Sequence, residues 1–139
     1  PLWRPYRRIG TVRARRTWTA WTWQTGSGDT MRARPGDWQV SDATGHKWSV
    51  RDNIFRSSYR RTSGNLWAAT GVVFARRANP GEIVDSLEGR ERTGEGDWIV
   101  QGDIGEQWPV PDNTFRIRYT GPVSFVERFT HLEHLFGRS

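Results

Sequence analysis

Gly36-Asp-Trp-Gln-Val-Ser-Asp-Ala-Thr-Gly-His-Lys-Trp-Ser-Val-Arg-Asp-Asn-Ile-Phe-Arg-Ser-Ser-Tyr59 returns 60 residues later as Gly96-Asp-Trp-Ile-Val-Gln-Gly-Asp-Ile-Gly-Glu-Gln-Trp-Pro-Val-Pro-Asp-Asn-Thr-Phe-Arg-Ile-Arg-Tyr119, with no gap. Twelve of these 24 positions are identical: Gly36, Asp37, Trp38, Val40, Gly45, Trp48, Val50, Asp52, Asn53, Phe55, Arg56 and Tyr59, each with its partner 60 residues on. Upstream, Gly10–Arg16 matches Gly71–Arg77 at an offset of 61. A repeat of this extent implies two tandem copies of one small module, and the fold of the whole follows from the fold of one copy.

Side chains two apart on a strand share a face, so Trp38 with Val40, and Trp48 with Val50, predict the two arms of a hairpin turning at Gly45. Trp98, Val100, Trp108, Val110 and Gly105 repeat the pattern. Pro35-Gly36 and Glu95-Gly96 are turn steps that deliver the chain into it. Next, Asp52-Asn53 and Asp112-Asn113 read as caps of a short helical turn that places Phe55 with Tyr59, and Phe115 with Tyr119, on one side. Thr11–Arg16 alternates apolar with arginine, as an edge or half-exposed strand does. The β-branched and aromatic run Thr17–Trp23, and Pro80–Leu87 in the second copy, predict one more strand each.

The expected fold is mainly β: two copies of a small sheet or partly open barrel, each with a helical turn, packed about a pseudo-twofold axis. Copy one spans residues 1–66, copy two residues 67–122, and a C-terminal helix residues 123–139, where Val126, Phe129, Leu132 and Phe136 fall at helical spacing.

The chain contains no cysteine, which excludes disulfides, thiolate metal sites and thiol nucleophiles. It has no apolar run long enough to cross a bilayer as a helix and no signal core behind its basic start, so it reads as soluble, with no membrane partner, in the bacterial cytoplasm or a phage particle. Twenty of its 21 basic residues are arginine, a skew typical of GC-rich genomes. Their distribution is more informative: residues 1–80 hold 15 basic and 4 acidic side chains, net +11, whereas residues 81–139 hold 6 and 11, net −5.

The run Gly96-Asp97-Trp98 … Gly105-Glu106-x-Trp108-Pro109 … Asp112-x-x-Phe115, preceded by Leu87-Glu88-Gly89, resembles a segment of small phage, prophage and actinobacterial proteins of uncharacterised function. The match is closer in copy two. In copy one, Asp42, His46 and Ser49 stand in place of Gly102, Glu106 and Pro109. The resemblance implies a shared fold and a phage-like or bacterial origin, and it assigns no catalytic residue.

Three classes of function remain open. Copy one alone carries Trp18, Trp21 and Trp23 beside Arg13, Arg15 and Arg16, the combination of aromatic platforms and guanidinium groups that holds single-stranded nucleic acid. The same residues also suit a packed sheet with a solubilising arginine face. The opposed charges of the halves, with Glu82, Asp85, Glu88, Glu91 and Glu95 in copy two, point to protein partners or head-to-tail self-assembly. An enzyme would have to use the recurring Asp37 and Asp97, which read first as turn caps. His131 and His134, three apart beside Glu127 and Glu133, lack a second ligand-bearing helix. The leading expectation is a non-enzymatic binding or assembly module, phage-like and acting through protein contacts. It has no metal or cofactor, and Gly36, Asp37, Trp38, Trp48, Phe55, Tyr59, Gly96, Asp97, Trp98, Trp108, Phe115 and Tyr119 serve the fold.

Overall fold

The computed structural model describes residues 1–124. The helix expected beyond residue 123, with its apolar stripe and with His131 and His134, lies outside the described residues. In chain order the elements are β1 (Arg4–Arg8), β2 (Thr11–Arg16), β3 (Trp21–Gln24), β4 (Thr30–Ala33), β5 (Trp38–Ser41), β6 (Lys47–Val50), α1 (Asp52–Ser58), β7 (Tyr59–Ser63) and β8 (Leu66–Ala69). They continue with β9 (Val72–Arg77), β10 (Ile83–Ser86), β11 (Gly89–Arg92), β12 (Trp98–Gln101), β13 (Gln107–Val110), α2 (Asp112–Arg118) and β14 (Tyr119–Thr120). The protein is mainly β, and its sheets are open. A first sheet has the order β6-β5-β2-β8-β7 and a second the order β13-β12-β9-β1-β14; β3-β4 and β10-β11 are separate hairpins.

The recurring segment forms the same hairpin twice. Trp38 pairs with Val50 and Val40 with Trp48 in β5-β6, while Trp98 pairs with Val110 and Val100 with Trp108 in β12-β13. Val40 and Val100 are fully buried. The turns between the arms use different chemistry for one task. In the first, the Asp42 carboxylate accepts the Thr44 N–H at 3.0 Å; in the second, where Gly102 replaces Asp42, Glu106 reaches back to accept the Ile104 N–H at 3.1 Å. The carboxylate has moved from one end of the turn to the other.

Each hairpin carries a stack of aromatics over its sheet. Phe55 lies flat on Trp38 with centroids 4.0 Å apart, and Tyr59 follows at 4.9 Å; Phe115 lies on Trp98 at 4.0 Å, and Tyr119 follows at 4.9 Å. The helices that deliver the phenylalanines begin without a side-chain cap, at Arg51 and Pro111. This corrects the expected capping role of Asp52 and Asp112. Each sits one position inside its helix, and its carboxylate accepts the indole N–H of Trp38 or Trp98 at 2.9 Å. A buried indole requires an acceptor, and that need outranks the cap. The hydrogen bond from Trp98, with Arg116 beside it, holds the Asp112 carboxyl down at about 2.

Two strands depart from the linear reading. β2 is half-exposed, as its alternation predicts, but it is an interior strand between β5 and β8 and not an edge; Arg13 and Arg15 line the solvated face of an open sheet. β1 belongs to the second sheet, paired with β9 and β14, although it leads directly into β2 of the first. The sheets therefore divide as residues 11–69 against residues 4–8 with 72–120, and they do not follow the boundary at residue 66, which falls at β8. Where the chain passes between sheets, the two links lie side by side. Arg8 N–H donates to the Gly71 carbonyl and Ala69 N–H to the Gly10 carbonyl, both at 2.9 Å; Ile9 N–H donates to Arg118 and Thr70 N–H to Ser58. Gly10 and Gly71 have φ of +86° and +84°, values that suit glycine alone.

The hairpins β3-β4 and β10-β11 meet each other. Arg32 N–H donates to the Glu88 carbonyl at 3.0 Å and Arg92 N–H to the Asp29 carboxylate at 2.8 Å, with Met31 buried between them.

Candidate binding surface

Pairing across the first sheet decides which arginines share a side. Arg13 and Arg15, two apart on β2, face the same way. Arg13 lies opposite Ser41, which lies opposite Lys47; Thr11 lies opposite Ala68, which lies opposite Arg60. Arg13, Arg15, Lys47 and Arg60 therefore stand on one exposed face whose strand positions carry no carboxylate. Arg13 donates to Asn65 and Arg15 to Gln39, both neutral amides, at 2.8 Å. None of the four cations is in an ion pair among the described residues. The four acidic residues of positions 1–80 are all occupied elsewhere: Asp29 at Arg92 N–H, Asp37 at Arg34 N–H, Asp42 at Arg118 and Asp52 at Arg16 and Arg56.

The six candidates drawn from the sequence do not form one patch. Arg16 points to the opposite side of β2, where it bonds the Gly36 carbonyl and Asp52 and covers Trp18 at 4.4 Å. Trp18 is 68% exposed. Trp21 and Trp23 are half-buried, and both indole N–H groups are used internally, by Thr17 at 3.2 Å and Ser49 at 2.8 Å. Trp23 thereby anchors β3-β4 on β6 at the border of the arginine face, since Ser49 lies opposite Gln39 and Gln39 opposite Arg15. Lys47 and Arg60 carry no signal in the sequence. Only the cross-strand register brings them to Arg13, and no local pattern records that register.

The acidic residues of the second half do not make a matching free face. Glu82 is paired with Arg76 and Asp85 with Arg90. Glu91 is buried at 7% exposure on β11, and Glu88 is half-buried at the hairpin junction. Burial pushes the Glu91 carboxyl up to about 7, with the Ser86 hydroxyl opposing and Glu88, Asp29 and Asp97 adding to the rise. Burial likewise lifts Glu88 to about 7 against the pull of Arg51 and Arg34. Glu95 and Asp103 stay exposed on turns, so the charge contrast visible in the sequence is only partly spent inside the molecule.

One cross-link joins the halves directly. Arg118, at the end of α2, donates to Asp42 at 2.8 Å and lies over the Trp48 ring at 3.9 Å, with His46 stacked on the same indole. Burial alone would raise the Asp42 carboxyl, but hydrogen bonds from Thr44 and Arg118 prevail and hold it below its ordinary value.

The recurring aspartates have a local task. Asp37 accepts the Arg34 N–H and Asp97 the Gly94 N–H, each at 2.8 Å, closing the turn before its own hairpin. Asp97→Ala should lower stability by about 1 kcal/mol, the usual cost of losing such a cap, read as a shift in the urea midpoint. An unchanged midpoint with a lost binding activity would instead place Asp97 in a site. Among the described residues no three histidine, aspartate or glutamate side chains converge as metal ligands do, and no helix is long and apolar enough to cross a membrane. Compared with protein-family models, curated proteins and solved structures, the chain matches none.

Proposed function

We propose that the protein is a non-enzymatic binding module built from two copies of one β unit, and that it docks an acidic surface of a partner protein on the outer face of its first sheet. The observation that carries this reading is the set Arg13, Arg15, Lys47 and Arg60: four exposed cations on one sheet face, with only neutral partners. Leaving such a field unneutralised favours association with a surface of opposite sign and steers its approach. The recurring aspartates support a binding role over catalysis, because their carboxylates are committed to backbone turns. The resemblance to small phage and prophage proteins fits a partner on a larger particle.

Nucleic acid is the second reading, supported by the same cations and by the exposed Trp18 under Arg16. It is the weaker one, because Trp21 and Trp23 are half-buried and fixed in place by internal hydrogen bonds. The two separate in one titration. Polyglutamate should bind with an affinity that falls steeply with salt, and the Arg13→Glu, Arg15→Glu double variant should lose that binding while keeping its melting temperature, since both side chains are exposed. A single-stranded oligonucleotide should quench tryptophan emission only weakly. Strong quenching with weak polyglutamate binding would reverse the order of the two readings.

A further inference from the structure

The second sheet is completed by a strand from the far end of the described chain. In the first sheet, β8 arrives from its neighbour β7 through the turn Ser63-Gly64-Asn65, so the sheet is finished by local chain. At the same place in the second sheet stands β1, with Arg4 opposite Ala75, Tyr6 opposite Val73 and Arg8 opposite Tyr119. The correspondence extends to the side chains. Trp67 of β8 meets Trp38 and Phe55 edge-on at 5.2 and 4.7 Å; Tyr6 of β1 meets Trp98 and Phe115 edge-on at 5.5 and 5.0 Å. Beyond β14, Val123 N–H donates to the Pro5 carbonyl at 2.9 Å, as Ser63 lies opposite Leu66 in the first sheet.

This arrangement leaves the second sheet dependent on a strand that it does not itself carry. Without β1, β14 has no neighbour in the sheet and the stack of Trp98 and Phe115 loses its edge ring. The occupant of the slot is joined to β2 through Ile9-Gly10 alone. Two backbone hydrogen bonds hold the link, Ile9 N–H to the Arg118 carbonyl and Ala69 N–H to the Gly10 carbonyl, while the Ile9 side chain is 38% exposed and Gly10 supplies the backbone freedom for another path.

We propose that the slot between β9 and β14 accepts β1 from a second copy of this chain, so that two copies associate by reciprocal donation of residues 4–8. All contacts within the slot are remade in the exchanged pair, because the donated strand has the same sequence. Only Ile9-Gly10 changes course, which keeps the free-energy difference small and lets protein concentration set the balance. The ladder supplies the affinity and Tyr6, in its aromatic pocket, the register, as in other cases of strand addition to a sheet. The inference is independent of the arginine face: backbone and aromatic contacts form the slot, so salt that abolishes docking on the first sheet leaves the exchange intact.

The absence of cysteine makes the exchange directly readable. Arg8 N–H bonds the Gly71 carbonyl, so Arg7 and Val72 face each other as a non-hydrogen-bonded pair, the close spacing that a disulfide spans. One chain carrying Arg7→Cys and another carrying Val72→Cys would be unfolded together, refolded at high concentration and oxidised. Exchange predicts a covalent dimer in which the thiol introduced on β1 of one chain is joined to the thiol introduced on β9 of the other. This mixed product should stand in large excess over the two products that join like chains, and its yield should be insensitive to salt. A random mixture of the three linkages, or monomer alone, overturns the proposal. The double variant Arg7→Cys, Val72→Cys supplies the folding control. Closure within one chain at high dilution, giving way to intermolecular closure as concentration rises, supports exchange; closure within one chain at every concentration refutes it.

Discussion

Phe55→Ala should cost about 3–5 kcal/mol, the range for removing a fully buried phenylalanine, and is expected to bring the protein to the margin of stability. Phe55 is 0% exposed and lies between Trp38 at 4.0 Å and Tyr59 at 4.9 Å, with Trp67 edge-on at 4.7 Å. Three rings lose contact at once, and the stack cannot close over the gap, because Trp38 is tied to Asp52 and β5 to β2. Phe115→Ala should cost a similar amount by the same reasoning, since Trp98, Tyr119 and Tyr6 surround it in the same way. Urea denaturation followed by tryptophan emission measures both. A loss under about 1 kcal/mol, the level of an ordinary surface change, would mean that the stack fills space without supporting the fold.

A second large effect is expected from pH. Glu91 titrates near 7 in the folded protein against an ordinary glutamate value near 4.5, because it is buried with a hydroxyl and no cation as its partner. A carboxyl whose folded value is raised binds a proton more tightly in the folded state. Its favourable contribution is complete below about pH 4.5, fades as pH rises towards 7, and gives way above that to the cost of burying the charge. Glu91→Gln removes that cost. At pH 8 the variant should be more stable than the parent by on the order of 2 kcal/mol, and the gap should narrow towards pH 5. Glu88, which burial also raises to about 7, acts in the same direction. His46 acts in the opposite one: burial and Arg118 lower its value, so stability is lost as it charges below about pH 6.5. Melting temperatures of parent and variant at pH 5, 6.5 and 8 give the comparison. Equal pH profiles would show that the Glu91 carboxylate is solvated.

What the sequence reveals of this fold is what local pattern can encode. Gly-Asp-Trp and the paired apolar residues specify β5-β6 and β12-β13, the alternation of Val12 and Ala14 specifies β2, and Phe55 with Tyr59 specifies the face of α1. The role of Asp52 is not legible there, because a carboxylate before a helix has two possible donors, a backbone N–H and the Trp38 indole, and only the folded chain brings the second within 2.9 Å. Arg4–Arg8 carries no strand signature of its own: three arginines and a proline form a strand there because β9 and β14 leave a gap of that shape. The candidate surface is half legible. Arg13 and Arg15 declare themselves by spacing, while Trp21 and Trp23, conspicuous in the sequence, are half-buried on a separate hairpin, and Lys47 and Arg60 reach the same face only through the register of five strands.

The position of β1 also bears on the order in which the molecule can be made. It is synthesised before the other described strands and finds its neighbours last, since β9 begins at Val72 and β14 at Tyr119. At typical elongation rates of about 5–20 residues per second, residues 4–8 wait for seconds beside a first sheet that is already whole. Throughout that interval the nascent chain presents an unpaired strand, and a neighbouring chain on the same message, further along in synthesis, presents the slot that fits it.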